Sequence, residues 1–232
     1  VYQAHRPLVS DTTSPLNLLR VMGRSIRVLR DGHVVVRAPN LGRALSFTFV
    51  QGQNFPGINQ IRTQYVPTLQ PLGNSTNLLA GDIRPQVGYL YVGTFVDEPA
   101  FDQIDALFDR WRDYKAIVID IRDNNGGNDA NGDRIASRIA RQPALYRYVQ
   151  FRTGPRHADL GDYVPVSLTP RGAAPFTKPV YLLTNRHVFS AGLGFTMMMR
   201  ALPNVTQIGD VTGDGVAGSV VRELINGWNV AV

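Results

Sequence analysis

The chain has 232 residues, 44% of them hydrophobic and 18% charged, which is enough to bury a core as one large domain or two small ones. It has no cysteine, so disulfides, thiol nucleophiles and cysteine metal sites are excluded. The net charge of +6 comes mostly from scattered arginines (Arg20, Arg24, Arg27, Arg30, Arg110, Arg112, Arg134, Arg138, Arg141) rather than a basic stripe with interleaved aromatics, which argues against nucleic acid as a partner. Mean hydropathy is −0.11, and no apolar run approaches the length of a membrane span.

The N-terminal stretch VYQAHRPLVSDTTSP lacks the three-part pattern of a secretion signal. Residues 14–30 carry apolar side chains at 18, 19, 22, 26 and 29, the spacing of an amphipathic helix, with Ser14 as N-cap and Pro15 in the first turn. Asp31-Gly32 stops that helix, and His33 opens a β-branched run. Residues 1–38 therefore read as a helical segment, and 39–86 as strands and loops, with weak strand patterns at ALSFTFV and TQYVPTL.

From residue 87 the pattern is regular. VGYLYVGTF is a strand, PAFDQIDALFDRWRDY an amphipathic helix, and KAIVIDIR a buried strand. The turn DNNGGND leads into a helix from about Ala130 to Arg141. Residues 142–178 read as irregular. PVYLLTN is a second buried strand, SAGLGFTMMMRAL a helix, VTQIGD a strand and TGDG a turn. The ending ELINGWNVAV reads as a hairpin about Asn226-Gly227, and further chain is expected beyond Val232. Alternating buried strands and helices predict an α/β fold with a mostly parallel sheet covered by helices. Ligands bind such sheets beyond the C-terminal strand ends, where NNGG, Ser190 and TGDG all fall.

Ser190 stands where a buried strand turns into a helix. It can cap that helix, or it can be an acyl-transfer nucleophile if a base takes its proton. Val188 replaces the first glycine of G-x-S-x-G, so an α/β-hydrolase elbow is not supported. Gly126 and Gly127 follow a buried strand and let the backbone approach a ligand with N–H groups outward, as an oxyanion requires. Asp120 and Arg122 are placed to pair and hold that turn. Four histidines are candidate bases: His5 near the N-terminus, His33, His157 in a polar loop, and His187 with nothing to orient it. None has the spacing of a metal pair.

Four stretches occur together in order: GYLYVGTF (88–95), DIRDNNGG (120–127), LLTNRHVFSAG (182–192) and IGDVTGDG (208–215). This pattern, covering about residues 87–215, resembles the S41 serine peptidases, the tail-specific or C-terminal processing proteases, and implies a peptidase-like core over residues 87–232. The resemblance implies a ClpP/crotonase-like core preceded by the short N-terminal helical segment. It implies Ser190 as nucleophile and an oxyanion hole from Ala191 with Gly126 or Gly127. One branch of the family uses a lysine after the serine; here the corresponding turn carries Asp214, and no lysine follows Lys178. The other branch, similar to the tricorn core protease, uses a histidine near the start of the domain, often in L-x-D-G-H. LRDGH at 29–33 matches it and makes His33 the expected base. That branch also orients its base with a glutamate downstream of the serine, expected beyond Val232, with Glu223 a weak substitute. The resemblance further implies a polypeptide substrate, no cofactor or metal, and a periplasmic, cell-envelope or secreted setting. Members of the family often carry an inserted PDZ domain, but the 39–86 interval is too short and loop-like for a complete one, so none is expected. The rival expectation is a non-catalytic ligand- or peptide-binding module on the same fold.

Overall fold

The structure, a computed structural model, describes residues 1–46, 54–156, 158–213, 215 and 218–232. His157, Asp214 and the second half of ALSFTFV lie outside the described residues. The elements run α1 (Tyr2–His5), α2 (Pro15–Ile26), β1 (Val35–Ala38), β2 (Arg43–Ser46), α3 (Ile58–Gln64), β3 (Gln70–Pro71), β4 (Leu78–Arg84), β5 (Val87–Val92), α4 (Ile104–Arg110), β6 (Ala116–Asp120), α5 (Asp129–Ala136), β7 (Ala144–Arg152), β8 (Leu160–Leu168), β9 (Val180–Thr184), α6 (Ala191–Arg200), β10 (Val205–Gly209), β11 (Val221–Glu223) and β12 (Asn229–Ala231). They form two compact units, residues 1–50 with 214–232, and residues 51–213. The residues after 213 thus share a unit with the N-terminal ones.

In the first unit the described strands form an antiparallel sheet in the order β11-β12-β1-β2. The C-terminal hairpin thus pairs with the strand that follows His33. Helix α2 begins as its sequence dictates: the Ser14 side chain accepts from the Asn17 N–H, and Pro15 occupies the first turn, where its missing donor costs nothing. Its apolar stripe, Leu18, Leu19, Met22 and Ile26, packs with Val36, Ala38 and Trp228. Trp228 is 1% exposed and donates its indole N–H to Asn40 Oδ1 at 2.7 Å, so burial leaves no orphan donor.

The second unit holds a sheet in the order β10-β9-β6-β5-β4-β3. β10, β9, β6 and β5 run parallel, and β4 and β3 return antiparallel at one edge. This is the mixed α/β architecture that the strand–helix alternation predicts. Side chains alternate faces along each strand. Leu90, Val92, Ile117, Ile119, Val180 and Leu182 point to one face, where α4, α5 and α6 cover them with Ile104, Phe108, Ile135, Phe195 and Met199. Tyr89, Tyr91 and Leu79 point to the other, against Ile61 of α3. Each large apolar side chain so buried contributes about 1.5–3 kcal/mol. Gly88 is needed because a Cβ there would lie 2.8 Å from the buried Trp111 ring.

Two segments differ from the sequence reading. Residues 142–178 contain an antiparallel hairpin, β7 with β8. Leu145, Tyr148, Phe151, Tyr163 and Val164 on it are exposed, so no clean inside–outside alternation marks it. TQYVPTL is not a strand: its first residues end α3, a helix of seven residues with only Ile61 buried.

Candidate active site

The site is built from the four motifs, which meet at the C-terminal ends of β5, β6, β9 and β10. Asp120 ends β6 with 0% exposure. It accepts from Arg122 at its backbone N (3.0 Å), Nε (3.0 Å) and Nη2 (2.7 Å), and from the Tyr89 hydroxyl (2.7 Å). The expected Asp120–Arg122 pair is therefore formed, and a buried carboxylate is tolerated because its oxygens are fully bonded. Burial, then the neighbouring Asp120 carboxylate, raises the Tyr89 pKa far above the ordinary phenol range. Burial, then Asp123, does the same for Tyr91, whose hydroxyl donates to Asp123 at 3.2 Å.

Asn124, 0% exposed, pins the turn beyond Asp120. Its Nδ2 donates to the Val92 carbonyl at 3.1 Å, and its Oδ1 accepts the Gly126 N–H at 2.8 Å. The Gly126 carbonyl in turn accepts from Phe95 N, and the Phe95 carbonyl accepts from Asn128 N, both at 2.8 Å. Gly126 and Gly127 have φ of +109° and +139°, values that favour glycine. A Cβ on Gly127 would fall 2.2 Å from the Phe95 carbonyl carbon, and one on Gly126 would fall 2.6 Å from Ser190 Cβ.

Ser190 follows β9 by way of a loop tied to the same turn. Phe189 N donates to the Asn124 carbonyl at 3.2 Å, and Gly213 N, from the TGDG stretch, donates to the Val188 carbonyl at 2.8 Å. Asp210 N donates to the Thr184 carbonyl, and the Thr184 hydroxyl donates to the Asp210 carbonyl at 2.8 Å. Ser190 is the residue before α6, but its side chain makes no capping hydrogen bond. Its backbone has φ +56° and ψ −124°, a conformation that costs an L-residue about 1–3 kcal/mol. Ser190 thus does not cap α6 through its side chain, and it stands at a strained strand-to-helix turn. Ala191 supplies the first N–H of a helix of ten residues, one of the amides that no intrahelical carbonyl reaches.

Ser190, Ala191, Gly126 and Gly127 are thus gathered in the second unit. The Gly126 N–H is held by Asn124 Oδ1, whereas among the described residues the amides of Gly127 and Ala191 show no acceptor. His33 and Glu223 lie in the first unit. His33 follows an Asp-Gly turn: Asp31 Oδ1 accepts the His33 backbone N–H at 2.8 Å and stands 3.2 Å from His33 Nδ1. Glu223 is exposed on β11, at the register position opposite Asn229. His187 is not the unoriented histidine of the sequence reading. Its backbone N–H is held by Asn185 Oδ1 at 2.9 Å, and its Nε2 lies 3.9 Å from Asp123. Asp31, Asn124 and Asp123 were missed as functional candidates. For Asp31 and Asn124 the signal was short-range, an Asx residue two places before the N–H it binds, whereas Asp123 meets Tyr91 and His187, both distant in the sequence.

On the other sheet face, a cavity of about 610 Å³ lies among Ile61, Val66, Val118, Tyr181, Leu183 and Ile208. Among the described residues no group of three or more His, Cys, Asp or Glu side chains could hold a metal ion, and no helix is long and apolar enough to cross a membrane.

Residues 86–232 match peptidase family S41. No curated protein matches the chain. Among solved structures, a candidate peptidase from Parabacteroides merdae superposes with a TM-score of 0.86 at 31% identity, over 99% of this chain and 72% of its own. A lipoprotein from Streptococcus agalactiae gives 0.54 at 14% identity, over 99% and 73%. Mature CPAF gives 0.55 at 12%, over 63% of this chain and 42% of its own, and both of these share the fold alone. The family match spans the turn, the Ser190 loop and the glycine stretch just described, and the chain belongs to peptidase family S41.

Proposed function

We propose that this chain is a serine endopeptidase that cleaves polypeptides through an acyl-enzyme, with Ser190 as nucleophile and His33 as general base. The observation that carries the reading is the Ser190 backbone, strained at φ +56° and braced against Gly126, with a side chain that does not cap its helix. Strain of this kind persists only where the surroundings impose it, and here two motif turns do so.

His33 takes the Ser190 hydroxyl proton as Oγ attacks the scissile carbonyl, and the tetrahedral oxyanion is met by the N–H groups of Ala191 and Gly127. The Gly126 amide is not used, because Asn124 already holds it. Collapse of the intermediate breaks the C–N bond, and His33 returns its proton to the leaving amine. A water then gives its proton to His33 and attacks the acyl carbon, and Ser190 leaves with that proton. The assignment of His33 rests on the LRDGH match to the histidine-base branch of the family.

Cleavage of an unfolded polypeptide by wild type beside S190A, H33A and H187A tests the reading. Loss in S190A and H33A with retention in H187A supports it. Loss in H187A with retention in H33A transfers the base to the histidine facing Asp123. The apolar cavity beneath α3 favours the second reading, a ligand-binding module; in that case folded wild type cleaves nothing and S190A changes nothing.

A further inference from the structure

The histidine-base branch is expected to orient its base with a distant glutamate, yet the group beside His33 Nδ1 is the Asp31 carboxylate, two residues before it. We infer that Asp31 is the positioning residue of the general base, an inference that rests on the proposed role of His33. An ionised carboxylate only accepts hydrogen bonds, so a 3.2 Å contact with Nδ1 places the neutral ring's proton on Nδ1. Nε2 is then the nitrogen that carries no proton, the one a general base needs, and the same carboxylate stabilises the imidazolium that forms when Nε2 is protonated.

Asp31 is itself held in place. Its Oδ1 also accepts the His33 backbone N–H at 2.8 Å, and its backbone carbonyl accepts Val34 N at 3.2 Å. Arg30 before it adopts φ +51°, ending the helical stretch so that the Asp-Gly turn can start. One short turn thus fixes both the backbone of His33 and the tautomer of its ring.

The alternative is that Asp31 only shapes the turn. An Asx turn is kept by asparagine, which retains the Oδ1 acceptor but loses the charge, so Asp31→Asn separates the two roles. The rate of Ser190 labelling by a fluorophosphonate is measured for wild type, D31N, D31E and H33A, with urea unfolding alongside. Positioning predicts that D31N labels about 10²-fold more slowly, near the lower end of a general base's contribution. It also predicts an unchanged unfolding midpoint and partial recovery in D31E. Wild-type labelling in D31N overturns it. The ¹⁵N shifts of the His33 ring, assigned by their loss in H33A, give a readout independent of activity. Wild type should be protonated at Nδ1, with that population falling in D31N; protonation at Nε2 in wild type overturns the inference. If instead H33A labels at the wild-type rate, the base assignment itself is wrong, and that result comes from a different variant.

Discussion

Gly126→Ala is the sharpest test of how the nucleophile turn is held. The new Cβ would lie 2.6 Å from Ser190 Cβ, 2.9 Å from the Phe189 carbonyl oxygen and 3.1 Å from Ala191 N. Two of these are backbone atoms, fixed by Asn124 and by the first turn of α6, so they cannot swing aside. Alanine at φ +109° costs about 1–3 kcal/mol, and forcing a methyl into a filled space costs a further 1–3 kcal/mol or so. The expected loss is about 2–6 kcal/mol, against a typical total stability of about 5–15 kcal/mol. What relief exists comes from displacing Ser190, and a shift of about 1 Å at a reacting group costs about 10²-fold in rate. Gly227→Ala is the control: Gly227 has φ +75° with nothing within 4 Å, so only the backbone penalty of about 1–2 kcal/mol applies. Urea unfolding and fluorophosphonate labelling are measured on both. If G126A unfolds like G227A and labels at the wild-type rate, the close contact between the two turns is not real and the reasoning fails.

Asp120→Asn removes the charge from a carboxylate with 0% exposure that holds Arg122 and Tyr89. Leaving the guanidinium uncompensated should cost about 3 kcal/mol in urea unfolding, whereas Arg186→Ala, which breaks the exposed pair with Asp210, should leave the unfolding midpoint nearly unchanged. Equal losses would contradict the buried network. Tyr89 and Tyr91 have folded pKa values raised above the ordinary value of 10.0, so the folded state favours their protonated forms. The stability they contribute is complete below pH 10 and is lost as pH rises beyond it, by about 1.4 kcal/mol per pH unit for each. These two should be the last of the nine tyrosines to ionise in the folded protein, and Y89F with Y91F should flatten the alkaline loss; ultraviolet titration checks both.

What was legible in the sequence was whatever is written locally. The apolar strands and the glycines of DIRDNNGG were readable because burial and close approach restrict residue choice at each position. Ser190 was readable as a position but not as a conformation; its strain depends on Gly126 across the turn, which no local pattern encodes. The β7–β8 hairpin escaped because both of its faces carry exposed aromatic and aliphatic side chains, so period-two alternation is lost. The partnership of the C-terminal hairpin with β1 is a pairing across nearly the whole chain, visible only once folded. Asp31 lies in the very motif that singles out His33, but its contact with the imidazole depends on the fold of the Asp-Gly turn, which the motif's letters do not encode. Of the two glycine amides expected as alternatives, that of Gly126 is committed to Asn124, a detail of Asx geometry rather than of composition.

The central claim is that Ser190 is an activated nucleophile. A fluorophosphonate probe reacted with the folded chain, followed by digestion and mass mapping, tests it most directly. The account predicts a single adduct, carried by the peptide containing Ser190 and absent from a folded S190A variant. An unlabelled wild type that is demonstrably folded, or an adduct that persists in S190A, would contradict it.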